Sequence, residues 1–126
     1  MKTQWPYREK ISVPQEELNL FAWASGDHNP IHLQESVARQ KSFPKTIVHG
    51  MYFYSYLYVK LESLLSSDLE IVTFQIKFSA PVLSAESYFL EIGRETQESE
   101  EIFSGTLFSS QEELCFRFEA EATLSK

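Results

Sequence analysis

The 126-residue sequence contains a single cysteine, Cys115, which excludes an intramolecular disulfide and a cysteine-based zinc cluster. It has no excess of positive charge. Eleven Lys and Arg stand against 18 Asp and Glu, a net charge of −7, which argues against nonspecific nucleic-acid binding, a function that needs a basic footprint. No apolar run approaches the ~20 residues of a membrane-crossing helix. Met1–Pro6 lacks the apolar core of a signal peptide, so no membrane association and a cytoplasmic location are expected. There are only four glycines, and none form a glycine-rich phosphate loop. Aromatics, by contrast, are abundant: ten Phe, six Tyr and two Trp. The length suits one domain, 1–126, without repeats or linkers, long enough for an independent core.

Residues 1–13 read as a lead-in, with an edge strand expected near Tyr7–Val13. Pro14 suits the first position of a helix, and Glu16 and Glu17 its first turn. Leu18, Phe21 and Ala22 share helical spacing, predicting a helix from Pro14 to about Ser25 that ends at Gly26. Trp23 falls off that stripe and is expected to pack on the following loop. A helical turn or two is expected over Gln34–Gln40, followed by a polar connection, Lys41–Thr46, broken by Pro44.

His49–Ser66 carries two patterns. Tyr52, Tyr54, Tyr56 and Tyr58 alternate as in a strand, whereas Leu57, Leu61, Leu64 and Leu65 are spaced as in a helix. The length and the absence of Gly or Pro after Gly50 favour one long helix. Being apolar nearly all round, it is expected to be buried on most sides. Beyond it, Val72, Phe74, Ile76 and Phe78 alternate with polar residues, as do Tyr88, Leu90 and Ile92. A charged turn is expected over Arg94–Glu100. A strand over Ile102–Phe108 is weakened by Gly105, a turn follows at Ser109–Glu112, and a last strand runs from Leu114 to Leu124. Helices followed by hairpin-connected strands read as α+β with an antiparallel sheet.

The chemistry is concentrated in Ser25-Gly26-Asp27-His28-Asn29-Pro30-Ile31-His32. Gly26 and Asn29-Pro30 are turn signals, and Pro30 biases Asn29 away from helical dihedrals. Asp27 and His32, five positions apart across the proline, can be folded toward one point as an acid/base pair. Each has a plainer reading: Asp27 as a turn residue bonding nearby amides, His32 as a core histidine satisfied by a carbonyl. Asn29 is expected to hold the loop through side-chain-to-backbone bonds, and His28 to be exposed. Asp27, His28, His32 and His49 are also metal-ligating types. Pro30 removes the helix that would aim His28 and His32 together, so no metal site is expected.

These residues carry a resemblance. Phe21, Ser25, Gly26-Asp27, Asn29-Pro30, Ile31-His32 and Ala38, with Ile47-Val48-His49-Gly50-Met51 downstream, resemble the MaoC-like family of hot-dog proteins, which includes (R)-specific enoyl-CoA hydratases. Two positions depart from the family pattern. Ala24 replaces a larger aliphatic, and Ala85-Glu86 stands where a Gly-Asp pair usually follows the Pro-Val bend, here Pro81-Val82.

The resemblance implies a single hot-dog domain, a long central helix wrapped by a curved antiparallel sheet, and a homodimer joined at sheet edges. It implies reversible hydration of trans-2-enoyl thioesters to (R)-3-hydroxyacyl thioesters by Asp27 and His32, with backbone amides near Gly50 facing the developing enolate oxygen. Asn29, His49 and Ser55 are implied as supporting residues, although Ser55 reads equally as a small residue on a packed helix face. No metal, nicotinamide or flavin is implied; coenzyme A or phosphopantetheine enters as part of the substrate, the latter on an acyl carrier protein. Arg39, Lys41 and Lys45 form a local basic cluster for its phosphates, or an ordinary solvated face. Two other classes fit the fold: a non-catalytic acyl-thioester binding or dimerisation module, and a thioesterase. The thioesterase would want a carboxylate on the long helix, where Glu62 lies too far along.

Overall fold

The computed structural model describes residues 5–124; the first four residues of the expected lead-in and the last two of the chain lie outside them. The strands are β1 (Tyr7–Ile11), β2 (Leu69–Phe78), β3 (Tyr88–Gln97), β4 (Glu100–Ser109) and β5 (Leu114–Leu124). All neighbouring pairs are antiparallel, in one sheet of order β1-β3-β4-β5-β2. The helices are α1 (Gln15–Ser25), α2 (Glu35–Gln40) and α3 (Gly50–Leu64), with a 3₁₀ turn at Pro30–His32. The expected long helix on a curved antiparallel sheet is the architecture found.

Phe53, Leu57 and Leu61 recur every four residues along α3 and are fully buried with Leu90, Ile92, Phe103, Leu107, Phe116 and Phe118 of the sheet. Each such side chain contributes about 1.5–3 kcal/mol of burial. The helical spacing of the leucines therefore outweighs the alternation of the tyrosines. The helix is nevertheless covered on one face only. Met51, Tyr58 and Val59 are 62%, 41% and 67% exposed, against the expectation of burial on most sides.

Four other expectations are corrected. In β2 the register slips between Ile71 and Thr73, so Ile71 packs on the core while Val72 is pushed outward, 50% exposed. The charged stretch Arg94–Gln97 is strand, leaving only Glu98 and Ser99 as the turn. It folds this way because Arg94 Nε and Thr96 Oγ1 donate to buried Glu101 at 2.8 and 2.9 Å, and the Arg94 pairing holds that carboxyl below its usual range. Gly105 is required rather than weakening: a Cβ there would collide with the Glu91 carbonyl and the Phe118 ring. Trp23 is not packed on the loop; it is 81% exposed.

Candidate active site

α1 delivers the chain to the loop, and Gly26 stops it. Its φ of +81° is left-handed, the conformation that closes a helix C-terminus, and its N–H donates to the Ala22 carbonyl at 2.9 Å. The loop is then stitched by its own side chains. Ser25 Oγ accepts from Asp27 N–H (3.2 Å), Asp27 Oδ1 from Asn29 N–H (3.2 Å), and Asn29 Oδ1 from Ile31 N–H (3.1 Å). Asn29 thus has the loop-holding contacts expected of it. Asp27 uses one oxygen as a turn residue and keeps the other for His32.

The structure brings Asp27 and His32 together, with Oδ2 and Nε2 3.8 Å apart. The His32 ring is 12% exposed and the Asp27 carboxylate 52%. His32 Nδ1 lies 2.8 Å from the Ile47 carbonyl oxygen, which can only accept, so Nδ1 carries a proton. In the neutral ring Nε2 then presents a lone pair toward Asp27. Two acceptors have no proton to share directly, and one water can donate a hydrogen to each.

His49 lies beneath. Its ring stacks on His32 with centroids 3.8 Å apart and planes inclined 23°, and Phe21 covers it at 4.9 Å. His49 is 1% exposed, and Nε2 donates to the Asp27 carbonyl at 3.1 Å. Burial, with the neighbouring His32 adding to it, pushes the His49 pKa down. Asp27, His32 and His49 present ligand-type atoms within 4.8 Å of one another, but the set does not suit a metal. Stacked rings point their lone pairs along parallel planes rather than at one centre. Coordination through His49 Nε2 would also place the proton on Nδ1, which is buried with no acceptor among the described residues.

Gly50 opens α3 directly after His49. Among the described residues the Gly50 and Met51 amides find no acceptor, while Tyr52 N–H turns back to the His49 carbonyl. Ser55 is exposed on α3 between two grooves, one of about 460 Å³ with Phe21, Tyr52, Tyr56, Val59, Lys60 and Ser63, the other of about 400 Å³ with Tyr54, Tyr58, Val59 and Phe74. No hydrogen bond joins Ser55 to the pair. A larger cavity of about 580 Å³ on the outer face of the sheet includes none of the loop residues.

Of the basic residues, Arg39 pairs with Glu35 at 2.8 Å and Lys45 with Glu86 at 3.2 Å, both at the surface, while Lys41 is exposed. His28 is exposed. At the departure from the family pattern, Ala85 holds a left-handed φ of +60°, and its N–H donates to the Val13 carbonyl at 2.7 Å. Sequence reasoning missed Gln15, Thr46 and Ser84, which are hydrogen-bonded to one another and to the His32 backbone. Nothing local marks them, because Gln, Thr and Ser at these positions read as ordinary helix-start and loop residues.

Residues 1–107 match the family model described as MaoC like domain. The chain is 29% identical over 73 residues to 3-hydroxyacyl-thioester dehydratase X of Mycobacterium tuberculosis, covering 58% of this chain and 25% of that protein. It is 48% identical over 40 residues to 3-hydroxyacyl-thioester dehydratase Z of the same organism, covering 32% and 26%. The matched stretches span about a quarter of these relatives. Among solved structures, the (R)-hydratase from A. caviae involved in PHA biosynthesis superposes with a TM-score of 0.83 at 22% identity, over 99% of this chain and 98% of that one. The HadBC (3R-hydroxyacyl-ACP dehydratase) complex of M. tuberculosis gives 0.77 at 16%, over 98% and 100%. At these identities the structures establish a shared fold.

Proposed function

The chain belongs to the MaoC-like domain family, and from that premise we propose that it catalyses the reversible hydration of a trans-2-enoyl thioester to the (R)-3-hydroxyacyl thioester. The observation that carries the reading is the 3.8 Å gap between Asp27 Oδ2 and His32 Nε2, with His32 Nδ1–H committed to Ile47. A water in that gap donates one hydrogen to each acceptor. As its oxygen bonds to the β-carbon, its proton passes to His32 Nε2, and the π electrons of the double bond move toward the thioester carbonyl. His32 then returns the proton to the α-carbon on the same face. Water is consumed and both groups end as they began. Asp27 keeps its charge throughout and steadies the transient imidazolium. In the dehydration direction His32 takes the α-proton and protonates the departing hydroxide.

The enolate oxygen that forms between these steps needs donors that are already in place. Gly50 and Met51 offer two unaccepted amides and the positive end of α3, one residue from the His49 ring that supports His32. The thioester brings its own handle, coenzyme A or a carrier-bound phosphopantetheine. Lys41 is the remaining candidate for its phosphates, since Arg39 and Lys45 are held by carboxylates.

The same reading includes a homodimer. β2 is a ten-residue edge strand, and its Phe74 lies against Tyr58 and across a groove from exposed Val59 of α3, an apolar border that a second copy would cover. The experiment is a hydration assay that follows loss of the conjugated-thioester absorbance of short trans-2-enoyl substrates, on coenzyme A and on a carrier protein. Turnover by the parent, lost in folded Asp27→Asn and His32→Ala, supports the proposal. A folded parent inert on both carriers overturns it.

A further inference from the structure

Gln15 opens α1, seventeen positions before His32 and 31 before Thr46, yet its half-buried side chain reaches both. Nε2 donates to the His32 carbonyl at 2.9 Å and to Asn19 Oδ1 at 3.0 Å. Oε1 accepts from Thr46 Oγ1 at 2.6 Å. The partners fix which way the amide faces, since a carbonyl oxygen only accepts. Thr46 commits its one hydroxyl proton to Gln15, so Ser84, with its Oγ 2.7 Å away, must donate to Thr46. Thr46 is 2% exposed and Ser84 6%, and hydroxyls so buried are costly to leave unpaired.

The object of this network is a single hydrogen bond. His32 Nδ1–H donates to the Ile47 carbonyl, and Gln15 grips the chain on both sides of that contact: the carbonyl of His32 itself, and Thr46, the residue before Ile47. The Ile47 N–H to the Ile31 carbonyl (3.2 Å) and the Ser84 N–H to the Thr46 carbonyl (2.9 Å) complete the clamp. We propose that Gln15, acting with Thr46 and Ser84, is a positioning residue that fixes the tautomer and aim of His32; this rests on the reading of His32 as the proton relay. Without the clamp the two segments drift, Nδ1 loses its fixed acceptor, and Nε2 is no longer held as a bare lone pair facing Asp27. A misplacement on the order of 1 Å is enough to cost ~10²-fold in rate.

The test compares Gln15→Met and Thr46→Val, which remove the clamp, with Thr46→Ser, which keeps the hydroxyl. Melting temperature reports folding. Steady-state assays on a trans-2-enoyl-CoA separate kcat from KM, and long-range ¹H–¹⁵N correlation of the imidazoles reads the His32 tautomer. Gln15→Met and Thr46→Val should lower kcat roughly 10- to 100-fold with KM within about twofold, and Thr46→Ser should restore it. His32 should be a single Nδ1–H tautomer in the parent and a mixture in the two clamp variants. A folded Gln15→Met with kcat within about twofold of the parent, or with His32 still wholly Nδ1–H, overturns the proposal. If the parent turns over no thioester, the reaction reading falls by itself, and the tautomer comparison still decides whether Gln15 positions His32.

Discussion

His32 and His49 lie face to face, 3.8 Å between ring centroids, and the lower ring is sealed from water while the upper one is partly exposed beside Asp27. Burial depresses the His49 pKa. The sign follows. A histidine whose folded pKa lies below its unfolded value near 6.5 binds fewer protons when folded, so its contribution to stability is complete above that value and is lost as pH falls toward the folded pKa. Urea midpoints should drop between pH 8 and pH 5 more steeply in the parent than in His49→Phe, which keeps a ring beneath His32 without a titrating nitrogen. Equal slopes would mean that His49 does not titrate with unfolding.

Asp27 and His32 share one water in the proposed reaction, so they should fail as a unit. His32→Ala is expected to lower kcat/KM by about 10²–10⁴-fold, the range of a lost acid/base group, and Asp27→Asn comparably, because it removes the charge that holds the water and steadies the imidazolium. The double variant should be hardly worse than the poorer single one, because residues that act as a unit on one water are strongly non-additive. Steady-state assays of the three variants check this, and multiplicative losses would indicate two independent roles.

The loop and the helix that delivers it were legible in the sequence because their signals are local. Gly26 ends α1, Asn29-Pro30 shapes the turn, and the alternation from Tyr88 to Ile92 and from Leu114 to Ala122 matches the buried face of the sheet. What escaped depends on partners distant in sequence. Val72 leaves its apolar stripe because β2 slips one residue against β5. Arg94 became strand because Glu101 across the hairpin needed a cation. Gln15, Thr46 and Ser84 acquire a role only when three segments meet behind His32. The tyrosines of α3 mislead by period because none of them is fully buried: Tyr52, Tyr54 and Tyr56 are half-buried and Tyr58 is 41% exposed, while Phe53 and Leu57 are buried.

Ala85 keeps a left-handed φ of +60° without the glycine that would make it easy. The backbone there is fixed by the Ala85 N–H to the Val13 carbonyl, so the residue cannot relax into an ordinary region. An L-residue in this conformation costs roughly 1–2 kcal/mol, part of which is offset by the greater freedom that glycine has when unfolded, about 0.5–1 kcal/mol. Ala85→Gly should therefore stabilise the fold by up to about 1 kcal/mol. Ala85→Val should destabilise it by more than that, since branching at Cβ worsens the same clash. Urea denaturation of both measures the difference.

Val59 distinguishes a lone protomer from a dimer. It is 67% exposed on α3, beside Tyr58 and across a groove from Phe74. In a monomer, Val59→Glu is a surface change worth no more than about 0.5 kcal/mol, and the solution mass would be unaltered. If a second copy covers this border, the same substitution buries a charge without a partner, a costly change that should split the assembly. Sedimentation should then show the parent at twice the protomer mass and Val59→Glu at the protomer mass, with circular dichroism unchanged. A parent that sediments as a monomer would leave the β2 edge and the α3 border exposed in solution, and would remove the dimer from the proposed function without touching the chemistry at Asp27 and His32.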